Sequence, residues 1–119
     1  LSGERQALLH LQELGYTVVA RRWKTARLRG DIDLVAWDGE SLCFIEVKTR
    51  SKRVLMRPAE AAVDSDKRRM LRQMAKAYLK NMQRGMGAKP KVRFDLLIIY
   101  LSGMTGMEFE LEKGAFGWE

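Results

Sequence analysis

The sequence predicts an α/β domain, a mixed central sheet flanked by helices in the order α-β-β-β-α-β-β. Three observations point there. The stretch Gly30–Arg50 reads as two strands joined by a tight turn at Asp38-Gly39, because glycine takes the positive φ that short hairpins need. Both strands are apolar on both faces, as in a buried central pair. A long helical pattern stands between the third and fourth strands and reads as a right-handed crossover.

The 119 residues form one domain of common size, long enough to bury a core. No apolar run is long enough to span a membrane, and a cytoplasmic location is expected. No signal-peptide pattern is present; the chain begins at Leu1 rather than Met and is read as lacking its first residues. A single cysteine, Cys43, excludes a disulfide framework and a cysteine-rich zinc site within one chain. A single histidine, His10, excludes any two-histidine metal motif. Twenty-two Lys and Arg against 15 Asp and Glu give a net charge of +7, which favours a polyanionic partner such as nucleic acid.

Residues 4–14 read as a short helix with Ala7, Leu8, Leu11 and Leu14 on its buried face and Gly15 at its C-cap. Glu4 falls between Leu8 and Leu11 in azimuth and so lies on the core-facing stripe. Tyr16–Trp23 is a β-rich first strand, and Lys24–Arg29 a basic loop. After the central hairpin, Ser51–Arg57 is a basic loop and Pro58–Val63 a connector. Asp64 N-caps a helix running to about Gln83. Met70, Leu71, Met74, Tyr78 and Met82 share one side of that helix, and Lys67 projects into the middle of it. Arg69, Arg72, Lys76 and Lys80 form a basic stripe on the other side. Beyond a turn-rich linker, Val92–Leu101 is a strongly apolar strand, and Met107–Glu112 alternates as an edge strand. Phe116 and Trp118 are expected to close the core.

The hairpin places Asp31, Asp33, Glu46 and Lys48 in apolar surface, where charges are costly unless paired or bound to a metal. Strand alternation puts Asp31 and Asp33 on one face, with Glu46 and Lys48 on one face of the partner. A two-residue turn at Asp38-Gly39 would set Asp31 opposite Glu46. A four-residue turn over Asp38–Ser41 would set Asp33 opposite Glu46. In either register Asp33 and Glu46 can share an ion. Oxygen-only ligands suit Mg²⁺ or Mn²⁺. Such an ion can hold a phosphate oxygen and activate a water, and a lysine on the same face can neutralise developing negative charge. The chemistry implied is phosphodiester hydrolysis; the structural alternative is a salt bridge of Lys48 with Glu46 or Asp33.

Asp33, a spacer of twelve residues and Glu46-Val47-Lys48 resemble the active-site pattern of the PD-(D/E)xK nuclease superfamily, the restriction-endonuclease-like fold. More narrowly, Gly3-Glu4-Arg5, Gly15-Tyr16, Gly30-Asp31-Ile32-Asp33-Leu34-Val35-Ala36, Phe44-Ile45-Glu46-Val47-Lys48-Thr49-Arg50, Ala62-Val63-Asp64, Lys67, Ala77-Tyr78-Leu79 and Arg93-Phe94-Asp95 resemble the YraN-type family. That family is uncharacterised and similar to archaeal Holliday-junction resolvases. The resemblance covers nearly the whole chain in order. It implies Asp33 and Glu46 as the metal-binding pair, the Val47 carbonyl as an extra ligand, Lys48 as the catalytic lysine, and Glu4 as the helix-borne acid completing the site. It also implies that Lys67 and Arg50 contact the phosphate backbone or support the site. Arg53 of the basic loop, with Arg69 and Arg72 of the stripe, extends the candidate nucleic-acid contacts. The chain has Asp31 where family members usually have Glu, and Leu55-Met56 where a Phe-Gly is expected.

Asp95, in an apolar strand, is expected to be structural, with a partner on a neighbouring strand, because Arg93 is assigned to the opposite face. Trp23, Trp37 and Cys43 are read as core. The function expected is Mg²⁺- or Mn²⁺-dependent endonucleolytic cleavage of DNA, branched or junction DNA in particular, with a homodimer implied by the resemblance alone. The alternatives are a non-catalytic nucleic-acid-binding module on the same fold and a structural subunit.

Overall fold

The computed structural model describes residues 3–51, 63–82, 89–104 and 106–119. Its elements are α1 (Gly3–Glu13), β1 (Thr17–Trp23), β2 (Ile32–Asp38), β3 (Ser41–Ser51), α2 (Ser65–Met82), β4 (Lys91–Ser102) and β5 (Gly106–Phe116). They bear out the expected mixed α/β order. The loop over 52–57 and most of the connector before Val63 lie outside the described residues, as does 83–88 of the linker.

The five strands lie in the order β1-β2-β3-β4-β5. Neighbours are antiparallel except β3 and β4, which are parallel, so a crossover must join them, and α2 stands in it. The sheet separates two apolar layers. On one face Val35, Leu42, Phe44, Phe94, Leu96 and Ile98 pack with Leu71, Met74 and Ala75 of α2. On the other, Leu34, Ala36, Cys43, Ile45, Leu97 and Ile99 pack with Ala7 and Leu11 of α1 and with Tyr16. The central strands are covered on both sides, which is why they lack polar alternation.

α1 ends in a Schellman motif. Gly15 has φ +94°, its N–H donates to the Gln12 carbonyl at 3.0 Å, and the Tyr16 N–H donates to the Leu11 carbonyl at 3.0 Å. Leu14, expected on the buried face, is 51% exposed, because the chain has already left the helix at Glu13. Asp64 caps α2 as expected, its Oδ1 accepting the Lys67 N–H at 2.9 Å. Gly30 has φ +92°, and a Cβ there would lie 3.0 Å from the Met70 side chain, so glycine lets α2 approach the start of β2. Phe116 closes the α2-side core by stacking on Phe94 at 4.8 Å, whereas Trp118 stays 41% exposed.

Candidate active site

The hairpin turn is Gly39-Glu40, with Asp38 paired to Ser41. Gly39 has φ +61° and Glu40 is not at positive φ, the pattern of a type II′ turn with glycine first. The expected Asp38-Gly39 turn is therefore displaced by one residue, and Asp38 belongs to the closing pair. The ladder runs back through Trp37↔Leu42 and Val35↔Phe44 to Leu34↔Ile45, where it ends. Continuing the register sets Asp33, not Asp31, opposite Glu46, the pairing expected of a four-residue turn over Asp38–Ser41, although the observed turn has two residues. Asp31 is half-buried just ahead of β2.

The ladder ends because Asp33 intervenes. Its Oδ2 accepts the Val47 N–H at 2.8 Å, the donor that a regular ladder would direct at Ile32. An extended residue points its N–H and C=O to the same edge, so the Val47 carbonyl also borders this fork. Glu46, on the α2 face by alternation, brings its carboxyl to the same place.

Glu46 is the strained member of the pair. Its side chain is 10% exposed. Oε2 lies 3.6 Å from the Lys67 Nζ, while Oε1 is buried with no hydrogen-bond partner among the described residues. Burial, reinforced by the adjacent Asp33 carboxylate, pushes the Glu46 carboxyl up to about 7 despite Lys67. Lys67 therefore reaches the site from the first turn of α2. Lys48 shares the face of Glu46 by alternation and is half-buried; burial first, then the Arg50 charge, lowers its pKa, and Glu46 opposes that shift.

The remaining predicted contacts are spread out. Arg50 donates to the Thr49 carbonyl at 2.9 Å. Arg53 lies outside the described residues. Arg69 is exposed on α2. Arg72 serves the C-terminal segment: its Nε donates to the Gly117 carbonyl at 2.8 Å, and its guanidinium lies 5.4 Å from the Phe116 ring centre.

Glu4 borders a cleft with Asp33, Val47 and Thr49, but its carboxylate is taken by Arg22 at 2.6 Å. Sequence reasoning missed Arg22. The pairs Arg21↔Leu34 and Trp23↔Ile32 set it across from Asp33, and its φ of +47° is costly for a residue with a Cβ. A pair of arginines in a β-rich run gave no signal of that conformation.

Among the described residues, no group of three or more His, Cys, Asp or Glu is gathered as a metal centre. Two carboxylates do converge, one with an orphaned buried oxygen. That donor set fits a hard divalent cation, since Mg²⁺ is commonly held by one or two carboxylates and otherwise keeps water. Asp33 and Glu46 would hold it, with the Val47 carbonyl on the same fork. A cation there would satisfy Glu46 Oε1 and relieve the repulsion between the two acids.

At the other end of the hairpin lies a satisfied polar network. Asp95 is 0% exposed and accepts from Tyr16 Oη at 3.1 Å, Arg93 Nε at 2.8 Å and the Gly114 N–H at 2.9 Å. Arg93 also donates to Asp38 at 2.8 Å. The structural role is as expected, but Arg93 is itself a partner: residues two apart in a strand share a face. Cys43 is buried beside this network, and burial and the Asp95 charge push its thiol up to about 12, which suits packing rather than nucleophilic chemistry. Trp23 and Trp37 pack against the α2-side core. No helix among the described residues is long and apolar enough to cross a membrane.

A family model described as "Uncharacterised protein family UPF0102" matches residues 3–99. The chain is 43% identical to a UPF0102 protein of Koribacter versatilis over 114 residues, covering 96% of this chain and 76% of the relative. It is 42% identical over 114 residues to one of Solibacter usitatus, covering 96% and 82%. With one of Moorella thermoacetica it shares 37% identity over 115 residues, covering 96% and 91%. The YraN-type resemblance is thereby borne out, and the chain belongs to the uncharacterised UPF0102 family.

Proposed function

We propose that this protein is a divalent-cation-dependent endonuclease of the PD-(D/E)xK type that hydrolyses phosphodiester bonds in DNA, with branched or junction DNA as its specific substrate. The observation that supports this most is the strand fork, where Asp33 and Glu46 converge and a buried Glu46 oxygen lacks a partner among the described residues. A bound Mg²⁺ or Mn²⁺ would supply charge neutralisation on a phosphate oxygen and a more acidic water. Lys48, two residues on and facing the same way, stabilises negative charge building on the phosphate. Lys67 lies 3.6 Å from the Glu46 carboxyl and, being partly exposed, is placed to meet a phosphate as well. The net charge of +7 suits a polyanion.

Cleavage of junction and linear DNA with Mn²⁺ tests the reading. Wild type should nick, and Lys48→Ala should fall by about a hundredfold, the scale of losing one transition-state donor. Glu46→Gln should be inactive. Equal cleavage by wild type and Glu46→Gln would sink the assignment.

One observation favours a second reading, a nucleic-acid-binding module without catalysis: Arg22 neutralises Glu4, so the acid set is incomplete. Salt-dependent DNA binding with no cleavage by wild type is the outcome that reading requires.

A further inference from the structure

We propose that a groove at the far end of α2 is a binding site for single-stranded nucleic acid, with a base stacked on Trp118 and the flanking phosphates held by Lys76, Lys80 and Lys89. This rests on the nucleic-acid reading of the chain but not on its catalytic chemistry.

The groove has a volume of about 440 Å³ and lies between the last turns of α2, the start of β4 and the C-terminal segment. Leu79, Pro90 and Val92 give it an apolar floor beside Trp118, and the three lysines stand around it. None of its described lining residues carries a carboxylate. A flat aromatic wall flanked by cations is what a base with its phosphates requires. An acidic peptide would satisfy the lysines, but a nucleotide brings a flat partner for the indole and an anion for the lysines in the same unit.

Trp118 is built into this position rather than left loose. Its ring meets the Phe94 ring edge-on at 5.0 Å, and the Lys76 ammonium lies over the ring at 6.0 Å from its centre, a weak contact that a stacking base replaces as the ammonium turns to its phosphate. The residue before it is pinned through the Gly117 carbonyl to Arg72 at 2.8 Å, and Phe116 stacks on Phe94. Yet the side chain stays 41% exposed. A large aromatic held in place and partly open offers a stacking platform that loses little entropy on binding.

The test is anisotropy of a labelled oligo-dT probe bound to the full chain in EDTA, so that no cleavage interferes. Trp118→Ala should weaken binding at least about fivefold, and Trp118→Phe should restore most of it. Lys80→Ala, at an exposed position that leaves the core alone, should lower the slope of log affinity against log salt by about 0.7. If wild type binds and both Trp118→Ala and Lys80→Ala bind equally well, the groove is overturned while the fork stands. If wild type binds no oligo-dT at any salt, the nucleic-acid reading fails with it. Binding of polyglutamate that depends on Trp118 and Lys80, with oligo-dT indifferent to both, would assign the groove to acidic peptides and overturn the proposal. Loss of cleavage in Glu46→Gln with unchanged oligo-dT binding would separate the two sites.

Discussion

The Asp33 carboxylate accepts the Val47 N–H at 2.8 Å, at the point where the β2–β3 ladder would have continued. One side chain thus does two things. It opens the sheet into a fork, and it turns an acid towards Glu46. The cost falls on Glu46, which is buried next to a like charge.

That cost should be measurable as a pH dependence in EDTA. The folded Glu46 carboxyl is held near 7, against 4.5 ordinarily, so the folded chain binds its proton more tightly than the unfolded one. The stabilisation is complete below about 4.5 and is lost as pH rises through 7, a loss on the order of 3 kcal/mol. Urea unfolding of wild type and Glu46→Gln across that range isolates it. The variant should lack the fall and be the more stable protein at pH 8.

Asp95 makes the opposite prediction, since its burial is fully compensated. Asp95→Ala would leave Arg93 without its main partner and the Gly114 N–H without an acceptor, costing about 3–5 kcal/mol. Tyr16→Phe removes two hydrogen bonds of the same network, the one donated to Asp95 and the one accepted from Arg93, and should cost about 1–3 kcal/mol. Denaturant midpoints check both, and neither variant should alter metal binding at the fork.

Arg22 should act on the fork through Glu4. Arg22→Gln frees a carboxylate beside Asp33, and Mn²⁺ affinity is expected to rise roughly two- to fivefold, the scale of an exposed ion pair. The gain should vanish in the double variant with Glu4→Gln. Titration calorimetry reads it directly, and unchanged affinity in Arg22→Gln would remove Arg22 from the account of the site.

Much of this arrangement was readable from residues alone, because it follows from periodicity and local chemistry. Gly15 and Asp64 marked helix ends through backbone geometry that few other residues satisfy. Alternation brought Asp33, Glu46 and Lys48 together, but it breaks at Asp33: Ile32 and Val35 both pack on the α2 face, and Asp33 also borders the cleft of Glu4, Val47 and Thr49. The turn was misplaced by one residue because Asp-Gly is favoured at the centre of a type I′ turn, whereas here glycine opens a type II′ turn and Asp38 is held in the strand by Arg93 and Lys113. Both of those cations arrive from distant strands. Arg22 was invisible for a similar reason: its positive φ and its partner Glu4 belong to tertiary structure, not to the local sequence. Leu14 had helical spacing but fell beyond the helix end, where spacing no longer implies burial.

Asp33 and Glu46 are proposed to form a divalent-cation site, and Mn²⁺ titration calorimetry tests this without needing a substrate. Wild type should bind, Asp33→Asn and Glu46→Gln should each weaken binding at least about tenfold, and Asp31→Asn should leave it nearly unchanged. No binding by wild type would rule out a cation site at the fork, and a greater loss from Asp31→Asn than from Asp33→Asn would make Asp31 the ligand instead.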